Sequence, residues 1–359
     1  MLTFNVGPSK LSLNTKEDIK KAADQGILEI SHRSEKFTEI SEKTIKGLRE
    51  FFNIPKNYKI FYTNSATEAM QLSITNTCEK KSFHFINGNF SRLFSKISNS
   101  LGKEIIIDEV ENGKQNNFEN VIIPNDCDLI TLPHNETSTG VMCQVEDIKK
   151  IKEKNPDAIL IVDITSSAGA TPIAVKEADI WFYSVQKCFG LPAGLGIMFV
   201  SPRAWEKSIE LSEKKLNLSG NFNLENMWKK MAEKYQTICT PNVLNIFLLG
   251  EKLDRWNKDS GLEKKINDTK EKYEMIKNIT SKNDNLDFFV EEEKYQSLTT
   301  VCLKSNEIFV KKIHEICAEQ NIILGKGYGP LKKSAIRIAN FPSVTKEDLK
   351  RLENIIESI

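Results

Sequence analysis

The residues best suited to chemistry gather around one lysine. The segment Ser184-Val185-Gln186-Lys187-Cys188-Phe189-Gly190-Leu191-Pro192-Ala193-Gly194-Leu195-Gly196 sets Lys187 among small and apolar neighbours. Taking an ammonium out of water disfavours its charged form, lowers its pKa and leaves an amine able to attack a carbonyl. The glycines and the proline forbid a long helix and let backbone approach a ligand closely. The same composition also suits a surface loop with a solvated lysine ahead of a buried strand. Asp163 ends the apolar run Ala158–Val162, and Lys187 follows twenty-four residues later, just past the next such run, Ile180–Tyr183. That spacing suits one step between neighbouring strands, so both side chains can meet one flat ring. A carboxylate beside a pyridine nitrogen keeps that nitrogen protonated and strengthens the ring as an electron sink. The following Thr165-Ser166-Ser167 fits a helix cap equally well.

Other polar groups follow apolar runs in the same way. Ser65-Ala66-Thr67-Glu68 comes after Ile60–Tyr62 and opens a helix. Free backbone N–H groups and the helix dipole make such a place an anion seat, although a serine cap with a capping-box glutamate explains the residues without a ligand. Phe90, in Asn87-Gly88-Asn89-Phe90, can stack on a ring or pack in the core. Asn135-Glu136-Thr137 follows Leu129–Leu132 and offers ligand contacts or ordinary turn residues. Ser31-His32-Arg33-Ser34 is a compact donor cluster able to hold a carboxylate or phosphate, with Ser34 also placed to cap a helix. Arg337, flanked by Ile336 and Ile338, faces water or a buried anion; its neighbours favour the anion.

The elements that must position these residues alternate. Strands are expected at 60–62, 82–86, 104–107, 129–132, 158–162, 180–183 and 196–200, and helices at 35–52, 67–78, 90–101 and 144–154. Such alternation predicts an α/β fold with a large, mostly parallel mixed sheet covered by helices on both faces, and ligands on such sheets sit at the carboxyl ends of the strands. Beyond Trp205 the pattern changes to long helices at 224–236 and 243–278, then to β-rich runs at 286–290, 299–303 and 335–338 around a helix at 307–320, with a last helix at 346–359. This predicts a smaller C-terminal α/β domain. The expected division is a large domain over 16–250 and a small domain from 1–15 and 251–359, with the first fifteen residues irregular and packed on the small domain or on a partner subunit.

Bulk properties exclude several classes. Lysine plus arginine (50) balances aspartate plus glutamate (49), so no strong field draws the chain to nucleic acid or membrane. Seven scattered cysteines without a C-x-x-C pair suggest reduced thiols in a cytoplasmic protein. Four distant histidines and no cluster of ligand spacing predict no metal. Met1–Ser12 lacks the basic start and apolar core of a signal peptide, and no apolar run approaches the ~20 residues of a membrane span.

In order and spacing, Gly7-Pro8-Ser9, Ser31-His32-Arg33-Ser34, Ser65-Ala66-Thr67, Asn135-Glu136-Thr137, Asp163, Gln186-Lys187, Thr240-Pro241 and Arg337 resemble the fold-type I, pyridoxal-phosphate-dependent aminotransferases of class V over nearly the whole chain. Within that family the likeness is strongest to the branch acting on O-phosphoserine. The resemblance implies a homodimer with shared sites, pyridoxal 5'-phosphate as cofactor, and amino and keto acids as substrates. It implies that Lys187 carries the cofactor and shuttles the proton, and that Asp163 pairs with the pyridine nitrogen. Phe90 would stack on the ring, where the family often has tryptophan, and Thr137 would donate to the ring oxygen. Ser65, Ala66, Thr67 and Gln186 would hold the cofactor phosphate, with Thr240 reaching it from the partner subunit. Arg337 would bind the substrate carboxylate, and His32 and Arg33 the substrate phosphate.

Two departures bear on the substrate. Cys239 stands where the phosphoserine branch has asparagine, and Gly327-Tyr328-Gly329-Pro330-Leu331-Lys332-Lys333 replaces a His-Arg pair that also serves the phosphate. Lys332 or Lys333 would supply charge without the fork geometry of arginine. The Gly-Tyr-Gly stretch is similar to the branches that pass an amino group from alanine or serine to glyoxylate. A cysteine desulfurase, with the same fold, needs a mobile late cysteine and a histidine before the lysine; this chain has Gln186 there, and Cys302 and Cys317 in regular elements.

Overall fold

The computed structural model describes residues 1–359. The chain opens with strand β1 (Leu2–Phe4) and helices α1 (Leu13–Asp24) and α2 (Glu35–Phe52). Strand and helix then alternate through β2 (Lys59–Thr63), α3 (Ala66–Thr77), β3 (Lys81–Ile86), α4 (Asn89–Ser100), β4 (Glu104–Glu109) and β5 (Leu129–Pro133). A small hairpin, β6 (Asn135–Glu136) and β7 (Val141–Met142), precedes α5 (Val145–Lys154), β8 (Ile159–Asp163), β9 (Ile180–Ser184) and β10 (Gly196–Val200). Helices α6 (Pro202–Glu213), α7 (Leu224–Lys234), α8 (Val243–Lys258) and α9 (Gly261–Ser281) follow. The chain finishes with β11 (Asp287–Phe288), β12 (Thr300–Lys304), α10 (Glu307–Glu319), β13 (Ile322–Lys326), β14 (Ala335–Ala339) and α11 (Lys346–Glu357). No helix is long and apolar enough to cross a membrane.

The large sheet has the order β2-β10-β9-β8-β5-β3-β4. β10 runs antiparallel to both neighbours and the other pairs are parallel. Central strands such as Ile159–Asp163 and Ile180–Ser184 are buried throughout, as a sheet covered on both faces requires. Successive side chains divide between two cores: Trp181 and Tyr183 join the one under α2 and α8, while Ile180 and Phe182 join the one under α3 and α4. The outer strand β4 is partly exposed and carries Glu104, Asp108 and Glu109, charges that discourage edge pairing with another chain. From β3 the chain steps outward to β4, and from β5 it steps the other way to β8. The strand order therefore reverses between β3 and β5, the place where such sheets open a crevice at their carboxyl ends.

The second sheet has the order β1-β13-β14-β12-β11, with a core of its own shared with α9, α10 and α11. Val6, Ala170, Cys188, Ala339 and Phe341 form a small apolar cluster between the two units.

Two expectations need correction, and three elements were not foreseen. The helix expected over 243–278 is two helices, because Ser260 and Gly261 both turn left-handed (φ 58°) and Asp259 accepts the ammonium groups of Lys264 and Lys265 at 2.6 and 3.1 Å. Asp259-Ser260-Gly261 carries that break in its residue types. The first fifteen residues are not irregular: Leu2–Phe4 pairs in parallel with Ile322–Leu324, which does seat the segment on the second unit. Helices α1 and α6 and strand β13 lay outside the sequence reading. β13 is short and bounded by Asn321 at φ 55° and Gly327.

Candidate active site

Lys187 sits in the loop that follows β9, at the carboxyl rim of the sheet. The loop is fixed by its own backbone: Gly190 N donates to Lys187 O (2.9 Å) and Val185 N to Leu195 O (3.1 Å). The N-terminal segment clamps it from outside, with Ser9 N on Gln186 O (2.9 Å) and Ser9 Oγ on Lys187 O (2.7 Å). The Lys187 side chain is buried, and its Nζ donates to the carbonyl of Val6 at 2.7 Å. A Cβ on Gly7 would run into Nζ and Cε, so a larger residue there would displace the lysine tip from the Val6 carbonyl. Burial, followed by the Arg337 charge, lowers the Lys187 pKa to about 8, against the opposing pull of Asp163 and Glu136.

Asp163 ends β8 beside this loop. Its Oδ1 accepts the Thr165 amide at 2.8 Å, and burial raises its pKa to about 6 while hydrogen bonds from Thr165 oppose the rise. Phe90, in the first turn of α4, puts its ring centroid 5.6 Å from Lys187 Nζ and 5.5 Å from the Tyr328 ring. Thr137 donates its hydroxyl to Ser166 Oγ (2.9 Å) and gives its carbonyl to Arg337 Nη1 (2.8 Å). Arg337, on β14 of the second sheet, is buried and also donates Nε to Lys326 O at 2.8 Å. Burial lowers its pKa from the ordinary arginine value. Tyr328 lies 5.5 Å from the guanidinium carbon.

The α3 N-terminus closes the other side. Ser65 caps the helix through Glu68 N (3.1 Å), and Ser184 Oγ from β9 receives the Ala66 amide at 2.6 Å. Glu68 returns to the Asn64 amide, so a capping arrangement exists. The amide and hydroxyl of Thr67 and the side-chain amide of Gln186 make no hydrogen bond within the chain and remain free as donors. A flat ring with an anionic arm toward Thr67, a basic nitrogen toward Asp163 and a carbonyl carbon toward Lys187 would meet complementary groups on every side.

The remaining expected residues lie elsewhere in this chain. Arg33 spends Nη1 on Thr237 O (2.6 Å) and Nη2 on Ile238 O (3.0 Å). His32 is half-buried, and burial and the Arg33 charge lower its pKa. Thr240 lines a cleft of about 200 Å³ with Asn64, Glu68 and Phe222, a cleft that does not include Lys187. Lys333 pairs with Glu307 at 2.9 Å and Lys332 makes no ion pair. Cys302 and Cys317 are buried, and burial pushes their thiols up to about 12 and about 11, so neither is the mobile nucleophile of a desulfurase. No group of metal-ligating side chains is present. The sequence did not point to the Val6 carbonyl, and it offered Tyr328 only as part of the Gly-Tyr-Gly stretch and not as a neighbour of Phe90 and Arg337. Gly7-Pro8-Ser9 was the available signal for the first.

Comparison with known proteins gives a consistent likeness. The profile of the family described as Aminotransferase class-V matches residues 7–352. A crystal structure of a phosphoserine aminotransferase from Cytophaga hutchinsonii is 36% identical, with 99% of this chain and 98% of that one covered and a TM-score of 0.95. A phosphoserine aminotransferase of a Nocardioides species is 26% identical over 99% of this chain and 94% of its own length. An alanine–glyoxylate aminotransferase structure from Nostoc shares the fold, with a TM-score of 0.84, 19% identity and coverage of 99% and 94%.

Proposed function

Since the chain belongs to the class-V aminotransferases, we propose that it exchanges an amino group between O-phosphoserine and 2-oxoglutarate, using pyridoxal 5'-phosphate and running toward phosphoserine in serine formation. The observation that carries the reading is the gathering of Asp163, from the rim of the large sheet, and Arg337, from the second sheet, around the buried Lys187 amine, with Phe90 and Tyr328 between. Pyridoxal phosphate fits that donor set: Thr67 and Gln186 would supply donors for its phosphate, and Asp163, whose Oδ1 takes the Thr165 amide, would offer Oδ2 to the ring nitrogen. Ser65 and Ala66 shape the turn that presents those donors, and Thr137, whose hydroxyl donates to Ser166 Oγ in the unloaded chain, would turn it to the ring oxygen.

When bound, the cofactor supplies an aldehyde to take the amino group and a ring to spread the electron pair left at the substrate α-carbon. Lys187 Nζ takes the α-proton and returns it, a task that suits an amine whose pKa lies near 8. Asp163 is mostly ionised above pH 6 and holds the proton on the ring nitrogen. Arg337 has two of its N–H groups fixed on carbonyls, which aims the remaining edge at the substrate carboxylate. Phe90 covers one side of the amine.

The working form is a homodimer in the cytoplasm, in which Thr240 of one copy serves the cofactor phosphate of the other, and His32 and Arg33 serve the substrate phosphate. Seven unpaired cysteines support the compartment. The second reading, an alanine– or serine–glyoxylate aminotransferase, is favoured by one observation: Arg33 and Lys333 already have partners within the chain. The visible spectrum of the cofactor-loaded protein separates the two. Loss of the lysine-bound band with O-phosphoserine but not alanine supports the first, loss with alanine alone moves the assignment to glyoxylate, and no band after cofactor is supplied ends the reading of Lys187.

A further inference from the structure

Helix α4 has no cap of its own. Its N-cap position is Gly88, which offers no side chain, and a Cβ there would strike Glu136 and Ser138. The capping is done from forty-six residues away: Glu136 accepts from Phe90 N at 3.1 Å and from Ser91 N at 2.9 Å, and also from Ser91 Oγ at 3.0 Å. Ser138 adds its amide (3.0 Å) and hydroxyl (2.6 Å) to the same carboxylate. Glu136 is fully buried and pairs with no lysine or arginine, so all its partners are neutral donors. A serine or asparagine at the cap would satisfy the helix without burying a charge. The adjoining Thr137 carbonyl holds Arg337. One short segment thus fixes Phe90 on one side and Arg337 on the other.

We propose that Glu136 is a positioning residue of the transamination site: it clamps the first turn of α4, so fixing the Phe90 ring beside the Lys187 amine, while the adjoining Thr137 carbonyl holds Arg337. The inference rests on the reading of Lys187 as the cofactor-bearing amine. Besides burial, the charges acting on Lys187 are those of Arg337, Asp163, Cys188 and Glu136, and the last of these, the smallest, favours its protonated form.

The test compares Glu136→Gln and Glu136→Asp with the wild type as loaded enzymes. Glu136→Gln removes the charge and sets an amide donor against the Ser138 amide. It should lower kcat about 10- to 100-fold and move the pH midpoint of the visible cofactor band downward, because the charge that favours the protonated form is gone. Glu136→Asp keeps the charge but not the reach, so the midpoint should stay while kcat falls partway. Hydrogen exchange at the Phe90 and Ser91 amides, measured without cofactor, should quicken in both variants. A Glu136→Gln enzyme of lower melting temperature with unchanged kcat and midpoint would reduce Glu136 to a structural cap and overturn the proposal. If that variant does not fold, an Asp variant with wild-type kcat and amide exchange overturns it equally. A wild type that forms no band indicts the reading of Lys187 instead, and the exchange measurement still judges the clamp.

Discussion

Lys187 and Lys252 are both buried amines with lowered pKa values, about 8 and about 7, and burial is the first cause in each. Only one stands at a site. Lys187 lies at the carboxyl rim of the sheet, in a loop held by the N-terminal segment, with a carboxylate, an arginine and an aromatic ring around it. Lys252 projects from the middle of α8, 3.4 Å from the Ser12 hydroxyl that caps α1 and 5.2 Å from the centre of the Trp256 ring. Its charged neighbours are Arg255, paired with Asp18, and Lys265, paired with Asp259. None of these is free to take a ligand. A depressed lysine pKa therefore marks desolvation, and the function comes from the uncommitted groups around it. Lys272 repeats the lesson: its Nζ donates to the carbonyls of Phe341 and Val344, both at 2.8 Å, and its pKa falls to about 8 without any opening to a substrate.

The largest effect should separate the first two lysines outright. Lys187→Ala should lower turnover by about 10⁴-fold or more, since both the covalent anchor and the proton carrier are lost, while the melting temperature holds or rises because a buried charge is removed. Steady-state kinetics beside a thermal melt reads both. Appreciable turnover would dissolve the contrast with Lys252. The same amine gives a pH signature: cofactor uptake by the unloaded protein should accelerate as pH rises through about 8, where the neutral amine gains population. A flat rate across pH 7–9 would show that Lys187 is not the group that titrates.

A smaller effect probes recognition. Arg33→Ala should cut kcat/KM for O-phosphoserine by about tenfold, the scale of one charge-assisted contact, and leave the slower turnover of unphosphorylated serine unchanged. Equal losses on both substrates would mean that Arg33 acts by holding the 237–238 carbonyls.

How much of this was legible follows the same division. The apolar strands and the amphipathic helices announced themselves by period, so Asp163, Lys187 and the α3 N-terminus could be set on one rim from spacing alone. Arg337 was legible because a charge between two isoleucines in a strand has few uses. Glu136 was not: a carboxylate that caps a helix forty-six residues away leaves no local pattern. The Val6 carbonyl was equally silent, since a main-chain acceptor has no residue type. Helix α1 was hidden by its polar composition; it forms because Ser12 caps it and α8 receives its buried face. Lys252 and Lys272 were invisible as buried groups, for lysine on a helix reads as solvated until packing shows otherwise.

The smallest expected effect sharpens the comparison from the structural side. Lys252→Met replaces a desolvated amine by an apolar side chain of similar length, so activity should stay at the wild-type level. The unfolded chain holds the Lys252 proton up to about pH 10.4, whereas the folded chain releases it near 7. Between those values the unfolded state binds more protons, so stability rises with pH in the wild type. The penalty is complete below about pH 7 and gone above the unfolded pKa. The Met variant lacks that penalty. It should therefore melt above the wild type by about 1–2 °C at pH 7, the shift that ~1 kcal/mol produces in a chain of this length, and the gap should narrow steadily toward pH 10. Thermal melts of the two proteins at several pH values measure it. A variant that melts below the wild type at pH 7 would mean that Lys252 works as a bonded cation through Ser12 and Trp256, and the distinction drawn from burial would then rest on Lys187 alone.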